Sequence, residues 1–270
     1  MTKSAKKGKN SLILVFVAIL FVLIPVGEGC AGEAPKVDQK ALEVLKAMSN
    51  YLASLEGFVV RAQTEYESLL DNGQKVTYLN QVEIALKRPN RLYVHRIGMV
   101  RDQEIFYDGK TLTLFGKNRN LYATATVPST LDEMLDYATQ VLHLSAPGSD
   151  LLYSDVFSGL MDGVESGFYV GDNLVNGVKC HHIAFRNSEV DWQIWIEEGK
   201  HPIPRKYVIT SKWVTGAPEY SIAILSWDNN ETIPDSKFRF RPPSTASRIP
   251  FLTQEQIERL KKQAKEPRNG

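Results

Sequence analysis

The sequence predicts an α+β fold, mainly β: a single strongly curved antiparallel sheet of about eleven strands, with helices covering its concave face. Three observations lead there. From Phe58 onward apolar and polar residues alternate with a period of two, and turn signals interrupt the runs. Only two helical stretches carry a marked apolar stripe, and each stripe needs a surface to bury it. No linker, repeat or low-complexity stretch divides the strands into two domains.

Residues 37–55 carry the first stripe, with Val37, Ala41, Val44, Leu45, Met48, Leu52 and Leu55 at spacings of three and four. Asp38 stands at the N-cap position and Gly57 stops the run. The period then becomes two. Phe58, Val60, Ala62 and Tyr66 alternate with polar neighbours, and Val76, Tyr78, Val82, Ile84 and Leu86 follow after Asn72-Gly73. That dipeptide predicts a type I′ hairpin turn, since both central residues need positive φ. Pro89-Asn90 ends the second strand. Leu92 to Ile97, Glu104 to Tyr107, Thr111 to Phe115 and Leu121 to Thr124 are further short strands, with Asp108-Gly109 as a turn.

The second helix is expected over 130–143. Thr130 and Glu133 have capping-box spacing, and Leu131, Met134, Leu135, Ala138 and Leu142 make the stripe. Short helical turns are expected over 150–162. Strands resume at about 166–171, 178–186, 190–197, 204–213, 218–228 and 237–241, with turns at Asn176-Gly177 and Glu198-Gly199-Lys200. Pro242-Pro243 closes the sheet region, and 253–265 has the character of a polar terminal helix.

The 270 residues begin with a different kind of segment. Lys3, Lys6, Lys7 and Lys9 precede an unbroken apolar run from Leu12 to Ile24, then Pro25 and the small residues Gly27, Gly29 and Ala31. This is the pattern of a secretory signal peptide, and 13 apolar residues are fewer than the roughly 20 that span a bilayer as a helix. The expected division is 1–29 signal peptide, 30–250 folded domain and 251–270 polar tail or helix. Cys30 follows Gly29 as a lipid-accepting cysteine would, although Gly27 and Glu28 depart from the usual lipoprotein pattern. Lipidation of Cys30, with membrane association through that lipid, therefore stands beside simple cleavage as an alternative.

Composition narrows the function classes. Apolar residues are 43%, charged residues 23% and net charge +1, which argues against disorder and against a nucleic-acid binder. Two cysteines are too few for a disulfide scaffold or a four-cysteine zinc site. Common catalytic motifs are missing: no Gly-x-Ser-x-Gly, no His-Glu-x-x-His, no phosphate-cradling glycine loop, no Cys-x-x-Cys. No cofactor is expected. Cys180-His181-His182 is the chemistry-bearing run, since Cys180 and His182 share one strand face and could act as metal ligands or as a nucleophile and base. The plainer alternative is a buried thiol in an ordinary strand. Asp132 and Asp136 share a helix face near its N-terminus, where the macrodipole accounts for acids. The aromatic residues, Trp192 and Trp195 among them, either fill a core or line a pocket for an apolar ligand.

One resemblance adds to this. Gly177-Val178-Lys179-Cys180-His181-His182-Ile183-Ala184-Phe185-Arg186, Val190-Asp191-Trp192-Gln193-Ile194-Trp195-Ile196-Glu197 and Pro202-Ile203-Pro204-Arg205-Lys206 resemble a domain-of-unknown-function family of predicted periplasmic proteins. Arg88-Pro89-Asn90-Arg91-Leu92, Tyr107-Asp108-Gly109-Lys110, Asp150-Leu151-Leu152 and Phe238-Arg239-Phe240-Arg241-Pro242-Pro243 look like further landmarks of it, in order across residues 37–250. That family is similar in fold to the bacterial outer-membrane lipoprotein carriers, which implies a Lol-type half-barrel over an apolar cavity. No carrier motif matches residue by residue, so no binding site is carried over.

The leading expectation is an exported, non-catalytic periplasmic protein that binds a lipid, acyl chain or lipoprotein in an apolar cavity. Leu45, Met48, Phe58, Val60, Tyr66, Tyr78, Val82, Ile84, Leu131, Met134, Leu135, Trp192 and Ile194 are the candidate lining. The alternatives are a protein-interaction or sensor module of the envelope, with a protein partner, and an enzyme using the Cys180/His182 strand.

Overall fold

The computed structural model describes residues 36–144, 146–252 and 256, all within one compact unit. The expected signal peptide, Cys30 and the expected 253–265 helix, Gln256 apart, lie outside the described residues. The first helix, α1 (Gln39–Ser54), starts two residues later than its apolar stripe suggests. Val37 is taken up by a parallel bridge to Gly167, where Asp38 N–H donates to Gly167 and Gly167 N–H donates to Lys36. Asp38 then caps the helix, accepting from the Lys40 N–H at 2.9 Å.

Two meanders build the sheet. The first is β1 (Gly57–Leu69), β2 (Lys75–Lys87), β3 (Arg91–Gly98), β4 (Asp102–Tyr107), β5 (Thr111–Gly116) and β6 (Leu121–Thr126). Next come α2 (Leu131–Gln140), a 3-10 turn (Ser149–Leu152) and α3 (Val156–Met161). The second meander is β7 (Val164–Val175), β8 (Val178–Asn187), β9 (Val190–Glu197), β10 (Pro204–Ser211) and β11 (Glu219–Asp228), followed by the two-residue β12 (Ser247–Arg248). The order across the sheet is β12-β6-β5-β4-β3-β2-β1-β11-β10-β9-β8-β7. The chain thus winds outward from β1, crosses through the helices to the far edge, and winds back until β11 pairs with β1. Every pairing among β1–β11 is antiparallel, and β12 alone runs parallel, against β6.

The curled sheet divides its residues between two faces. On the inner face α1 packs Ala41, Leu45, Met48 and Leu52, all fully buried, against Ile183, Phe185, Trp192, Ile194, Ile196 and Tyr207. There α2 packs Leu131, Met134, Leu135 and Ala138 against Phe58, Val60, Leu86, Leu92 and Leu112. Leu151 belongs to the first cluster and its neighbour Leu152 to the second, so the 3-10 turn joins the two. A third cluster sits on the outer face, where Phe238 covers Val59, Ala85 and Tyr93.

Several expectations need correction. Among the described residues the sheet has twelve strands, the two-residue β12 adding one to the eleven of the meanders. Residues 237–241 do not form a strand: Asp235–Phe238 is a 3-10 turn. The alternation of Phe238 and Phe240 is real, but both rings dock on the outer face, Phe240 at 5.0–5.3 Å from Phe106, Phe115 and Tyr122. At Asn72-Gly73 only Gly73 has positive φ (83°), because a wider loop with a Gly73 N–H to Leu70 bond joins β1 to β2. Asn176 (49°) and Gly177 (81°), between β7 and β8, do both have positive φ, as a type I′ turn requires. Helix α2 ends at Gln140, not 143: Leu142 and Leu144 N–H groups fold back onto Tyr137 and Ala138, with His143 left-handed at φ 53°.

Candidate functional site

Strand register arranges the inner face of β1–β5 in rows about 7 Å apart, two residues per step. The deepest row is Phe58, Leu86, Leu92, Tyr107 and Leu112, all buried beneath α2. The middle row is Val60, Ile84, Val94, Ile105 and Leu114, continuous across five strands. Within it, Ile84, Val94, Ile105 and Leu114 face inward yet are only half-buried. The next row is Ala62, Val82, Arg96 and Gln103. Helix α2 covers the deep row and leaves the middle one open, because its apolar stripe ends at Ala138 and the chain turns away after Gln140.

The space left is a pocket of about 430 Å³, within the range of small-molecule sites. Its sheet wall is the rows above, Leu86 and Tyr107 excepted, together with Ile222, Ile224 and Trp227 of β11. Its other wall is Met134, Leu135 and Ala138 of α2, with Leu151 and Leu152. Trp227 packs on Phe58 with ring centroids 4.5 Å apart. Its indole N–H is buried with no hydrogen-bond partner among the described residues. The exposed lining residues Arg101, Thr139, His143, Ala146 and Pro147 mark where the pocket meets solvent.

The structure brings six of the thirteen candidate lining residues together in this pocket: Phe58, Val60, Val82, Ile84, Met134 and Leu135. Leu131 is buried beside it, in the α2 cluster. Tyr66 and Tyr78 stack on each other at 5.0 Å further along the sheet and do not line it. Leu45, Met48 and Ile194 are closed into the core beneath α1. So is Trp192, stacked on Phe185 at 4.4 Å; it borders a separate depression with Phe168, Val170, His182 and Asp191. Sequence periodicity cannot separate these groups, since a core and a pocket wall both require inward apolar residues.

Sequence reading missed the polar side of the pocket: Arg96, Arg101, Gln103, Thr139, His143 and Tyr220. A signal was present. The alternation Leu92, Val94, Arg96 places a charge where the period demands an apolar residue, and Ile105 with Gln103 repeats the break on the next strand. Arg96 donates to the Gln103 side-chain oxygen at 2.6 Å.

The Cys180-His181-His182 run is elsewhere. Cys180 and His182 lie on the outer face, opposite to Ile183 and Phe185. His182 stacks on Trp195 at 4.0 Å, and its Nε2 meets Gln193 at 3.0 Å. Burial raises the Cys180 thiol pKa and lowers that of His182, the reverse of what an activated thiolate needs. His181 turns the other way, to Asp172 (2.8 Å) and the Tyr169 hydroxyl (2.9 Å). Among the described residues no three His, Cys, Asp or Glu side chains converge as a metal site requires. Asp132 and Asp136 tie α2 to the following loop: Asp132 accepts from the Ser154 N–H at 3.0 Å and Asp136 from the Tyr153 hydroxyl at 2.8 Å.

The family described as predicted periplasmic protein (DUF2092) matches residues 41–252. No curated protein matches the chain. Among solved structures, the chain is similar to an uncharacterized conserved protein from Thermus thermophilus, at 12% identity over 78% of this chain and 99% of that one, TM-score 0.46. It is similar to LprF from Mycobacterium bovis, at 11% identity over 74% and 98%, TM-score 0.45. A LolA superfamily protein from Nitrosomonas europaea shares 10% identity over 74% and 97%, TM-score 0.37.

Proposed function

The chain belongs to the DUF2092 family of predicted periplasmic proteins, and on that premise we propose that it is a periplasmic binding protein for a lipid, a free acyl chain or the acyl part of a lipoprotein. One observation carries the reading. Ile84, Val94, Ile105 and Leu114 form an inward-facing aliphatic row that the protein's own helices leave half-exposed, inside a pocket open to solvent. A surface of that kind is costly in water unless something apolar covers it. Ten methylenes buried there would gain about 8 kcal/mol before the costs of association. The reading includes no catalysis, since Cys180 and His182 do not line the pocket.

Native mass spectrometry of protein purified without detergent tests this, together with uptake of dodecanol as a neutral probe. Wild type is expected to carry a bound lipid mass or to take up the probe. Ala138→Trp and Val82→Trp, which fill the pocket from the helix and from the sheet, are expected to reduce uptake at least tenfold. A ligand-free protein that takes up no probe overturns the proposal.

A further inference from the structure

The pocket has a second chemical character at its open side. Arg96 occupies an inward position of β3, in register with Val82 and Gln103, one step beyond the aliphatic row. Arg101 lies in the β3–β4 turn and lines the same pocket. Thr64, Gln103, Thr139, His143 and Tyr220 add uncharged polar groups and an imidazole to the lining.

The charges there are one-sided. The lining includes two arginines and, among the described residues, no Asp or Glu. Neither arginine forms an ion pair with a described carboxylate. The acidic residues nearest in sequence point to the other face of the sheet: Asp102 is held by His95 at 2.8 Å, and Glu104 accepts the Tyr93 hydroxyl at 2.8 Å. Burial, and then the Arg101 charge, lower the Arg96 pKa. Two like charges beside an apolar wall are costly to keep when, among the described residues, the groups that favour the Arg96 charge are the uncharged Gln103 amide and the Tyr220 and Tyr66 phenols. Natural cores place an aliphatic residue at such an inward position, and Val94 two residues earlier shows that this strand does so too.

We propose that Arg96 and Arg101 form the head-group site for an anionic amphiphile, whose acyl chain lies along the Ile84–Val94–Ile105–Leu114 row. This rests on the binding reading above and names the ligand class for it. A carboxylate or phosphodiester oxygen supplies the acceptors that guanidinium groups pair with best, at short charge-assisted distances. The geometry is that of an amphiphile: rows about 7 Å apart pass from buried apolar to half-buried aliphatic to the row that carries Arg96. A neutral chain would fill the apolar part and leave the arginines unpaired. A cationic one would be repelled.

Equilibrium binding of four probes to the full-length exported protein tests this: dodecanoate, lysophosphatidylglycerol, dodecanol and dodecyltrimethylammonium. Dodecanoate or lysophosphatidylglycerol is expected to bind at least tenfold more tightly than dodecanol, and dodecyltrimethylammonium more weakly still. The tighter of the two anionic probes identifies the source, a free fatty acid or a phospholipid head group. Arg96→Gln is expected to bring the anionic-to-neutral ratio close to one, with a far-UV circular dichroism spectrum and a cooperative urea transition showing that the variant is folded. Arg101→Gln is expected to lower the ratio partway, and Arg96→Lys to retain part of it. Equal binding of the anionic probes and dodecanol by wild type overturns the head-group site but leaves the apolar pocket standing. A ratio unchanged in both Gln variants does the same. Failure of protein shown to be ligand-free to bind any of the four overturns both readings.

Discussion

At the scale of single residues, Asp150 carries a testable consequence. It lies in the Ser149–Leu152 turn between the two inner clusters and accepts the Tyr207 hydroxyl at 3.4 Å. Burial raises its pKa above the ordinary 3.8, with the Tyr207 bond a smaller opposing effect. The folded protein therefore holds a proton that the unfolded chain releases once pH exceeds about 3.8. Stability falls as pH rises from there through the raised folded value, and is flat beyond it. Asp150→Asn removes that loss. Its urea midpoint is expected to exceed that of wild type at pH 7 and to match it near pH 3; a lower midpoint at pH 7 would contradict the assignment. Arg96 is the other telling residue. Its break in the period-two pattern is visible in the sequence, but a charged residue at an inward position has no meaning until the rows on either side are known.

At the scale of elements, local chemistry was largely legible. Asp38 and Thr130 cap α1 and α2 as their positions suggest. Thr130 accepts from the Glu133 N–H at 3.3 Å and donates to the Glu133 carboxylate at 2.7 Å. Thr130→Ala should cost about 1 kcal/mol, read from urea unfolding. Helix α1 should be far less tolerant. Leu45 and Met48 are fully buried against the sheet, and Leu45→Ala should cost about 2–5 kcal/mol. Boundaries were less legible. Val37 fits the helical stripe but is held by a bridge to Gly167, which is 130 positions away in the chain. Asn72-Gly73 has the dipeptide of a type I′ turn, yet the register from Leu69 to Lys75 requires a wider loop. Backbone preferences choose among turns only where the flanking strands leave the loop length free.

At the scale of the whole molecule, the outer face depends on the segment after β11. Phe238 is fully buried against Val59, Ala85 and Tyr93, and Lys237 bonds Glu83 at 2.6 Å beside it. Phe238→Ala should cost about 3–5 kcal/mol, seen as a lower urea midpoint. Because this segment grips the face opposite the pocket, uptake of dodecanol should remain once the variant is folded. Loss of uptake in a folded Phe238→Ala variant would show that the two faces are coupled. The same two-sidedness explains why residues 237–241 have the pattern of a strand without being one. Their alternating phenylalanines suit a sheet, but they dock on its outer face instead of pairing at an edge.

The mainly β class, the two striped helices, most strand positions and the inward side of each strand are legible in the order of residues alone, because they follow from periodicity and from caps acting over a few residues. Which inward residues are core and which are pocket depends on packing between distant parts of the chain. Leu45, Ile194, Ile84 and Val94 are all inward apolar residues by their local pattern. The difference arises because α1 closes over one half of the curled sheet while α2 stops short of the other. That is a matter of where helices end relative to strands distant in the chain, and no local pattern of residues encodes it.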